Sequence, residues 1–167
     1  MKKIFFIIMF LSAFMLGLAK KPPADINPPD AKEGKKESSM DFKLKDLSDK
    51  DVSLKDYKDK KVVLLVFWAT WCPYCVQEIP QIKKLQEEMK GRDFEILAID
   101  IQESKEKLKP FIEKKDIKYK ILIDPDGGVA TSYKVEGIPE NIVIDKKGNI
   151  AHRGEFPSKE LIEKLLK

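Results

Sequence analysis

Val62-Val63-Leu64-Leu65-Val66-Phe67-Trp68 runs into Ala69-Thr70-Trp71-Cys72-Pro73-Tyr74-Cys75, and the junction of these two pieces decides the fold. Seven consecutive apolar residues, rich in β-branched valine and without polar alternation, read as a strand buried on both faces. Such a strand lies at the centre of a sheet with helices on either side. Beyond the cysteines the period changes. Val76, Ile79, Ile82, Leu85 and Met89 fall three or four apart, which predicts a helix over 74–90 ended by Gly91. Pro80 inside it predicts a kink, because proline removes a backbone donor and clashes with the preceding turn. The two cysteines therefore sit where a buried strand turns into a helix.

Upstream of this junction, short strand-like pieces at 42–44 and 52–54 flank Ser48-Asp49 and predict a hairpin. Downstream, 94–100 reads as the next strand. Ser104 then caps a helix to residue 115, with Leu108, Phe111 and Ile112 turned inward. A strand over 119–123 ends in the turn Asp124-Pro125-Asp126-Gly127, and a short helical or irregular piece at 128–133 leads to Gly137-Ile138-Pro139-Glu140. Strands at 141–145 and 149–153 join at Lys146-Lys147-Gly148. Ser158 caps a last helix whose Leu161, Ile162, Leu165 and Leu166 make one apolar stripe. The order hairpin, βαβαβ, ββα predicts an α/β domain: a central mixed sheet flanked by helices, with an extra N-terminal β-hairpin.

At the N-terminus, Lys2-Lys3 precedes an apolar run over 4–18, and Gly17-Leu18-Ala19 closes it with small residues. Residues 1–19 read as a signal peptide or membrane anchor; the run is shorter than the roughly 20 residues that span a hydrocarbon core. No cysteine ends the run, so no lipid-modified cysteine is expected. Residues 20–40 carry Pro22-Pro23, Pro28-Pro29, Gly34 and Ser38-Ser39 among lysines and acids, a composition too poor in apolar side chains to fold alone. They read as a flexible linker, leaving one domain at 41–167. The chain of 167 residues has room for a single core. Its net charge of +4 comes without a basic stripe interleaved with aromatics, which argues against nucleic-acid binding.

Only two cysteines occur, spaced Cys-x-x-Cys. As a structural staple the pair closes a minimal loop, worth only about 2 kcal/mol by chain entropy. Reactive chemistry uses it better. At a helix N-terminus the unpaired N–H groups and the macrodipole favour a thiolate, so Cys72 is the expected nucleophile. Cys75, one turn in, is expected to attack the mixed disulfide and release the partner. Zinc would want about four ligands, and the chain offers two thiols and His152, some eighty positions away. No resident metal or cofactor is expected beyond a redox-active Cys72–Cys75 disulfide. Copper(I), which needs only two soft thiolates, keeps a copper-binding chaperone as an alternative.

The run from Phe67 to Cys75, with Glu78 and Pro80 behind it and Gly137-Ile138-Pro139 downstream, resembles the exported thioredoxin-like proteins that assist cytochrome c maturation and related thiol reduction. The resemblance covers roughly residues 40–167 and implies a thioredoxin fold with thiol-disulfide oxidoreductase activity. It further implies a cis Ile138–Pro139 bond whose backbone pairs with the client chain. Ordinary thioredoxins carry a buried aspartate on the strand before the pair; here the matching position is Val66. In the resembled family a helix glutamate takes that role, and Glu78, three residues after Cys75, shares its helix face. A partly buried glutamate has a raised pKa and can shuttle a proton near neutral pH. Glu140 after the proline resembles the cytochrome-c-maturation branch, while Asn141 and Tyr74 depart from its commonest pattern. Client contacts are expected around Trp71, Pro73, Tyr74, Ile138, Pro139 and Glu140. The resemblance implies client proteins with disulfides and a membrane thiol carrier as partners, in the periplasm or cell envelope. A disulfide-forming oxidase is the other enzyme reading, although such proteins usually carry an inserted helical domain for which the connections here leave no room.

Overall fold

The computed structural model describes residues 37–167. The signal segment and most of the linker read from the sequence lie outside the described residues. Seven strands form one sheet: β1 (Lys43–Asp46), β2 (Asp51–Ser53), β3 (Val62–Trp68), β4 (Phe94–Ile101), β5 (Lys120–Asp124), β6 (Glu140–Ile144) and β7 (Ile150–Gly154). Four α-helices accompany them, α1 (Pro73–Glu88), α2 (Lys105–Lys114), α3 (Gly128–Ser132) and α4 (Lys159–Leu166), with a short 3-10 helix at Leu54–Tyr57. The order across the sheet is β2-β1-β5-β4-β3-β6-β7. β3, β4 and β5 are parallel, and the hairpins β1–β2 and β6–β7 add antiparallel strands on either side. The N-terminal hairpin does not stand apart; β1 pairs with β5 through Lys45 opposite Ile123 and Asp46 opposite Leu122.

β3 is central because every one of its seven residues is buried. Alternate side chains serve two cores, as the two-residue period of a strand requires. Val62, Leu64, Val66 and Trp68 meet Ile79, Ile82 and Leu85 of α1 with Met89 at its C-cap, Leu108 and Ile112 of α2, and Ile162 of α4. Val63, Leu65 and Phe67 meet Phe42, Leu54, Ala130 and Tyr133 on the other face. The ring of Tyr133, 1 % exposed, lies 5.7 Å from that of Phe67 between centroids. Helix α1 continues through Pro80, whose ring is exposed on the outer face. Ser158 caps α4 as its position predicts, its Oγ accepting the Leu161 N–H at 3.2 Å. Ser104 occupies the cap position of α2 without such a bond.

This topology gathers the chain's chemistry at one pole. The three parallel strands end there, at Trp68, Ile101 and Asp124, and antiparallel β6 begins there at Glu140. Asp124, 1 % exposed, accepts the Val129 and Ala130 N–H groups at 3.2 and 2.9 Å, so this buried acid is a helix cap for α3. Among the described residues no helix is long and apolar enough to cross a membrane.

Candidate active site

Cys72 is the N-cap residue of α1, and Pro73 behind it fills the first helical position, where a missing N–H is no loss. Cys72 and Cys75 form a disulfide with Cα atoms 5.3 Å apart. The Cys72 Sγ accepts the Cys75 N–H at 3.2 Å, a donor that would stay on a thiolate after reduction. Both cysteines are nearly covered, at 3 % and 2 % exposure. What distinguishes them is place along the helix: Cys72 stands at its positive end, and Cys75 one turn inside. Trp71 and Tyr74, 64 % and 70 % exposed, rise beside the pair, and with Met40 they are the exposed large hydrophobic residues of the described chain.

The Ile138–Pro139 bond is cis. The carbonyl oxygen of Ile138 lies 3.6 Å from the Cys72 sulfur, so the 137–139 segment lies directly against the disulfide. Glu140 is next in chain, opposite Phe67 in the β3–β6 ladder, and its carboxylate pairs with Arg153 of β7 at 3.0 Å. Its charge is therefore met by a cation. His152, on the edge strand β7, is bound locally, its Nε2 lying 2.7 Å from the Glu155 carbonyl oxygen.

Glu78 lies in the second turn of α1, half-buried rather than out in solvent. Its two carboxylate oxygens accept the Asn141 side-chain N–H groups at 3.3 and 3.2 Å. The sheet explains this partnership: Asn141, wholly buried, stands opposite Val66 in the β3–β6 register, facing α1. Burial pushes the Glu78 carboxyl above the ordinary range, and the Asn141 amide pulls it partly back. Tyr119, buried nearby, has its phenol pushed up by burial and further by the Glu78 charge. The sequence singled out Glu78 but not Asn141, which it noted only as a departure from pattern. The signal was a lone amide opening an otherwise apolar strand.

Two further acids at this pole escaped the sequence reading. Glu103, its side chain 2 % exposed, accepts the Thr70 backbone N–H at 2.5 Å and the Thr70 hydroxyl at 2.8 Å, and pairs with Lys107 at 2.5 Å. Asp100, wholly buried on β4, stands opposite Trp68. An acid interrupting the buried strand Phe94–Ile101 was the available signal.

A cysteine pair at a strand-to-helix junction, with a cis-proline segment against its outer sulfur, is an arrangement suited to thiol-disulfide exchange. Comparison with known proteins agrees. Residues 36–153 match the model of the AhpC/TSA family. Over 128 residues the chain is 36 % identical to the thiol-disulfide oxidoreductase ResA of Bacillus thuringiensis subsp. konkukian, covering 75 % of this chain and 73 % of that one. It is 38 % identical over 134 residues to the thioredoxin-like protein YneN of Bacillus subtilis, covering 77 % of each. Among solved structures, the thioredoxin domain of a thiol-disulfide oxidoreductase from Bacteroides vulgatus superposes with a TM-score of 0.69 at 28 % identity, over 78 % of this chain and 96 % of that one. A Chlorobium tepidum protein provisionally assigned as the thiol:disulfide interchange protein DsbE gives 0.72 at 26 % identity, over 79 % and 97 %. The chain belongs to the AhpC/TSA family, has the thioredoxin fold, and is a thiol-disulfide oxidoreductase of the type named ResA and DsbE.

Proposed function

We propose that this oxidoreductase works outside the cytoplasm as a reductase of client protein disulfides, apocytochrome c among them, with electrons supplied by a membrane thiol carrier. The observation that carries this reading is the half-buried Glu78 carboxyl, held by Asn141 one helical turn beyond Cys75. A reductant must repeatedly release a proton from its inner thiol, and this group is built to take one. The Glu78 carboxylate also disfavours a thiolate beside it, which favours electron donation over electron withdrawal, whereas the charge of Glu140 is met by Arg153. The basic, apolar and small-residue pattern over 1–19 supports export, whether cleaved or kept as a tether.

The reaction can be built from the geometry. The Cys72 thiolate, at the positive end of α1, attacks one sulfur of the client disulfide, and the other client sulfur leaves as a thiolate and takes a proton from solvent, the counterpart of the one Cys72 gave up on ionising. Trp71, Pro73 and Tyr74 receive the client chain on one side, and Ile138, Pro139 and Glu140 on the other. Glu78 then accepts the Cys75 proton. The Cys75 thiolate attacks the Cys72 sulfur, and the second client sulfur departs, protonated through Glu78. Two electrons and two protons have moved to the client, and Cys72–Cys75 is again the disulfide seen here. The electrons pass through this disulfide with no further cofactor.

The test is a two-way exchange assay with a disulfide-bonded peptide carrying a Cys-x-x-Cys-His haem-attachment sequence. The reduced protein should reduce the peptide nearly to completion at equimolar ratio. Net oxidation of the reduced peptide by the oxidised protein would overturn the reading in favour of a disulfide donor. Tight copper(I) uptake without exchange would favour the chaperone.

A further inference from the structure

Asp100 has no place in the exchange chemistry, yet it is the most deeply buried acid near it. It is 0 % exposed, and neither carboxyl oxygen meets a side-chain hydrogen-bond donor among the described residues. An ionised carboxylate left so is strongly disfavoured, so the group either protonates or finds a cation. The groups facing it can be named element by element. Glu103, from the β4–α2 connection, presents a second carboxyl that raises the first and a backbone N–H that pulls it partly back; among the described residues Lys107 of α2 is the cation acting on Asp100, and it is already bound to Glu103. β3 presents only the Trp68 indole, whose Nε1 also lacks a partner. From α1 the same core receives Cys72 and Cys75, which do not titrate while joined. Ile123 of β5 stands opposite Asp100, whereas Asp124 belongs to the other face, where α3 satisfies it.

The two carboxyls are unequal. Glu103 is ringed by donors: the Thr70 N–H, the Thr70 hydroxyl and the Lys107 ammonium, which favour its charged form. Asp100 has no side-chain donor. A single proton shared between them rests on Asp100, whose O–H then points to the Glu103 carboxylate. Its own orphaned oxygen becomes a donor and the pair carries one negative charge, matched by Lys107. Thr70, gripped twice by Glu103, lies two residues before Cys72. We propose that Asp100 and Glu103 act as one buried acid holding a single proton, which positions the 69–71 loop and thereby the attacking sulfur of Cys72. Both are positioning residues, since they reach the sulfur only through Thr70. Losing the shared proton would place two negative charges side by side under that loop. Their repulsion weakens the Glu103 grip on Thr70 and sets a second buried charge near the thiolate. Burial and the Glu103 charge push the Asp100 carboxyl up to about 8, so the change falls within reach of ordinary conditions.

The role assigned to Cys72 is part of the proposed function, but the first arm of the test does not depend on it. In the oxidised full chain the cysteines cannot titrate. Carboxyl-carbon NMR of that form, from about pH 6 to about pH 10, should show one aspartate titrating far above the ordinary carboxyl range of about 4. The Thr70 amide resonance should move with the same midpoint, and D100N should abolish both changes. The second arm uses the reduced form. The pH profile of Cys72 alkylation should carry an inflection at that midpoint in the wild-type chain and lack it in D100N, whereas D100L should lower alkylation at neutral pH about tenfold or more. An oxidised protein with no such titration, one whose titration persists in D100N, or a Thr70 amide indifferent to it would overturn the proposal. If the first arm succeeds and Cys72 alkylation ignores the pair, positioning of the sulfur is refuted and the pair is structural only.

Discussion

Two of the carboxyl groups at the pole that carries the cysteine pair are handled in opposite ways. Glu78, half-buried on α1, is answered by a neutral amide, Asn141. Asp100, wholly buried on β4, is answered by another carboxyl, Glu103. An amide donor steadies the charged form of a buried acid while allowing the neutral one, which fits the proposed cycling of the Glu78 proton within each turnover. A neighbouring acid makes the second charge so unfavourable that one proton is kept. The first arrangement suits transfer and the second suits holding. Burial alone does not make a proton shuttle; the partner decides.

The comparison can be broken experimentally. The largest effect is expected at Glu78: Glu78→Gln should slow release of the client from the Cys72 mixed disulfide by about a hundredfold, the lower range for general acid–base catalysis. Formation of that mixed disulfide should change far less. Rapid-quench kinetics separates the steps, and equal slowing of both would remove Glu78 from its role. Next, Glu103→Leu leaves the Thr70 N–H without an acceptor and Asp100 without its partner. A loss of about 2–4 kcal/mol in unfolding free energy is expected, as for a buried hydrogen bond to a charged group with its donor stranded. Urea denaturation measures it, and a loss within noise would mean that Glu103 holds nothing.

Asn141→Leu sharpens the contrast more finely. Without the amide donation the Glu78 carboxyl rises further, so the acid limb of the turnover profile should move to higher pH. An unmoved limb would separate Asn141 from Glu78. Stability should also depend on pH through Asp100, and the upward shift sets the sign. The unfolded chain releases this proton near the ordinary value of about 3.9, whereas the folded chain keeps it up to about 8. Protonation therefore stabilises the fold fully below about pH 4, and that contribution is lost as pH rises through about 8. Urea midpoints should fall across this window in the wild-type chain and less steeply in Asp100→Asn. The smallest effect is expected at the pole's surface: Arg153→Ala frees Glu140 but should change stability by no more than about 1 kcal/mol.

These two acids also differ in how far the sequence revealed them. β3 and its turn into α1 were legible because an unbroken apolar run can be buried on both faces only in a sheet's interior, and the helix period starts at once behind Cys72. Glu78 was legible because a residue three beyond Cys75 must share its helix face. Asn141 was not, because its partnership depends on the register that sets it opposite Val66, and register is a property of two strands rather than of one. Asp100 and Glu103 were missed for a related reason. Their link to Thr70 crosses the parallel β3–β4 pair, joining positions about thirty residues apart that no periodicity connects. The β-hairpin at the N-terminus was readable as a hairpin, whereas its docking on β5 came only with the sheet.

If this pole of the molecule is built to give electrons to client disulfides, the Cys72–Cys75 pair must be strongly reducing. The most direct measurement is its reduction potential, by equilibrating the protein in defined thiol buffers near neutral pH. A value near the thioredoxin figure of about −270 mV is expected. A value near the roughly −120 mV of a strong disulfide donor would contradict the assignment.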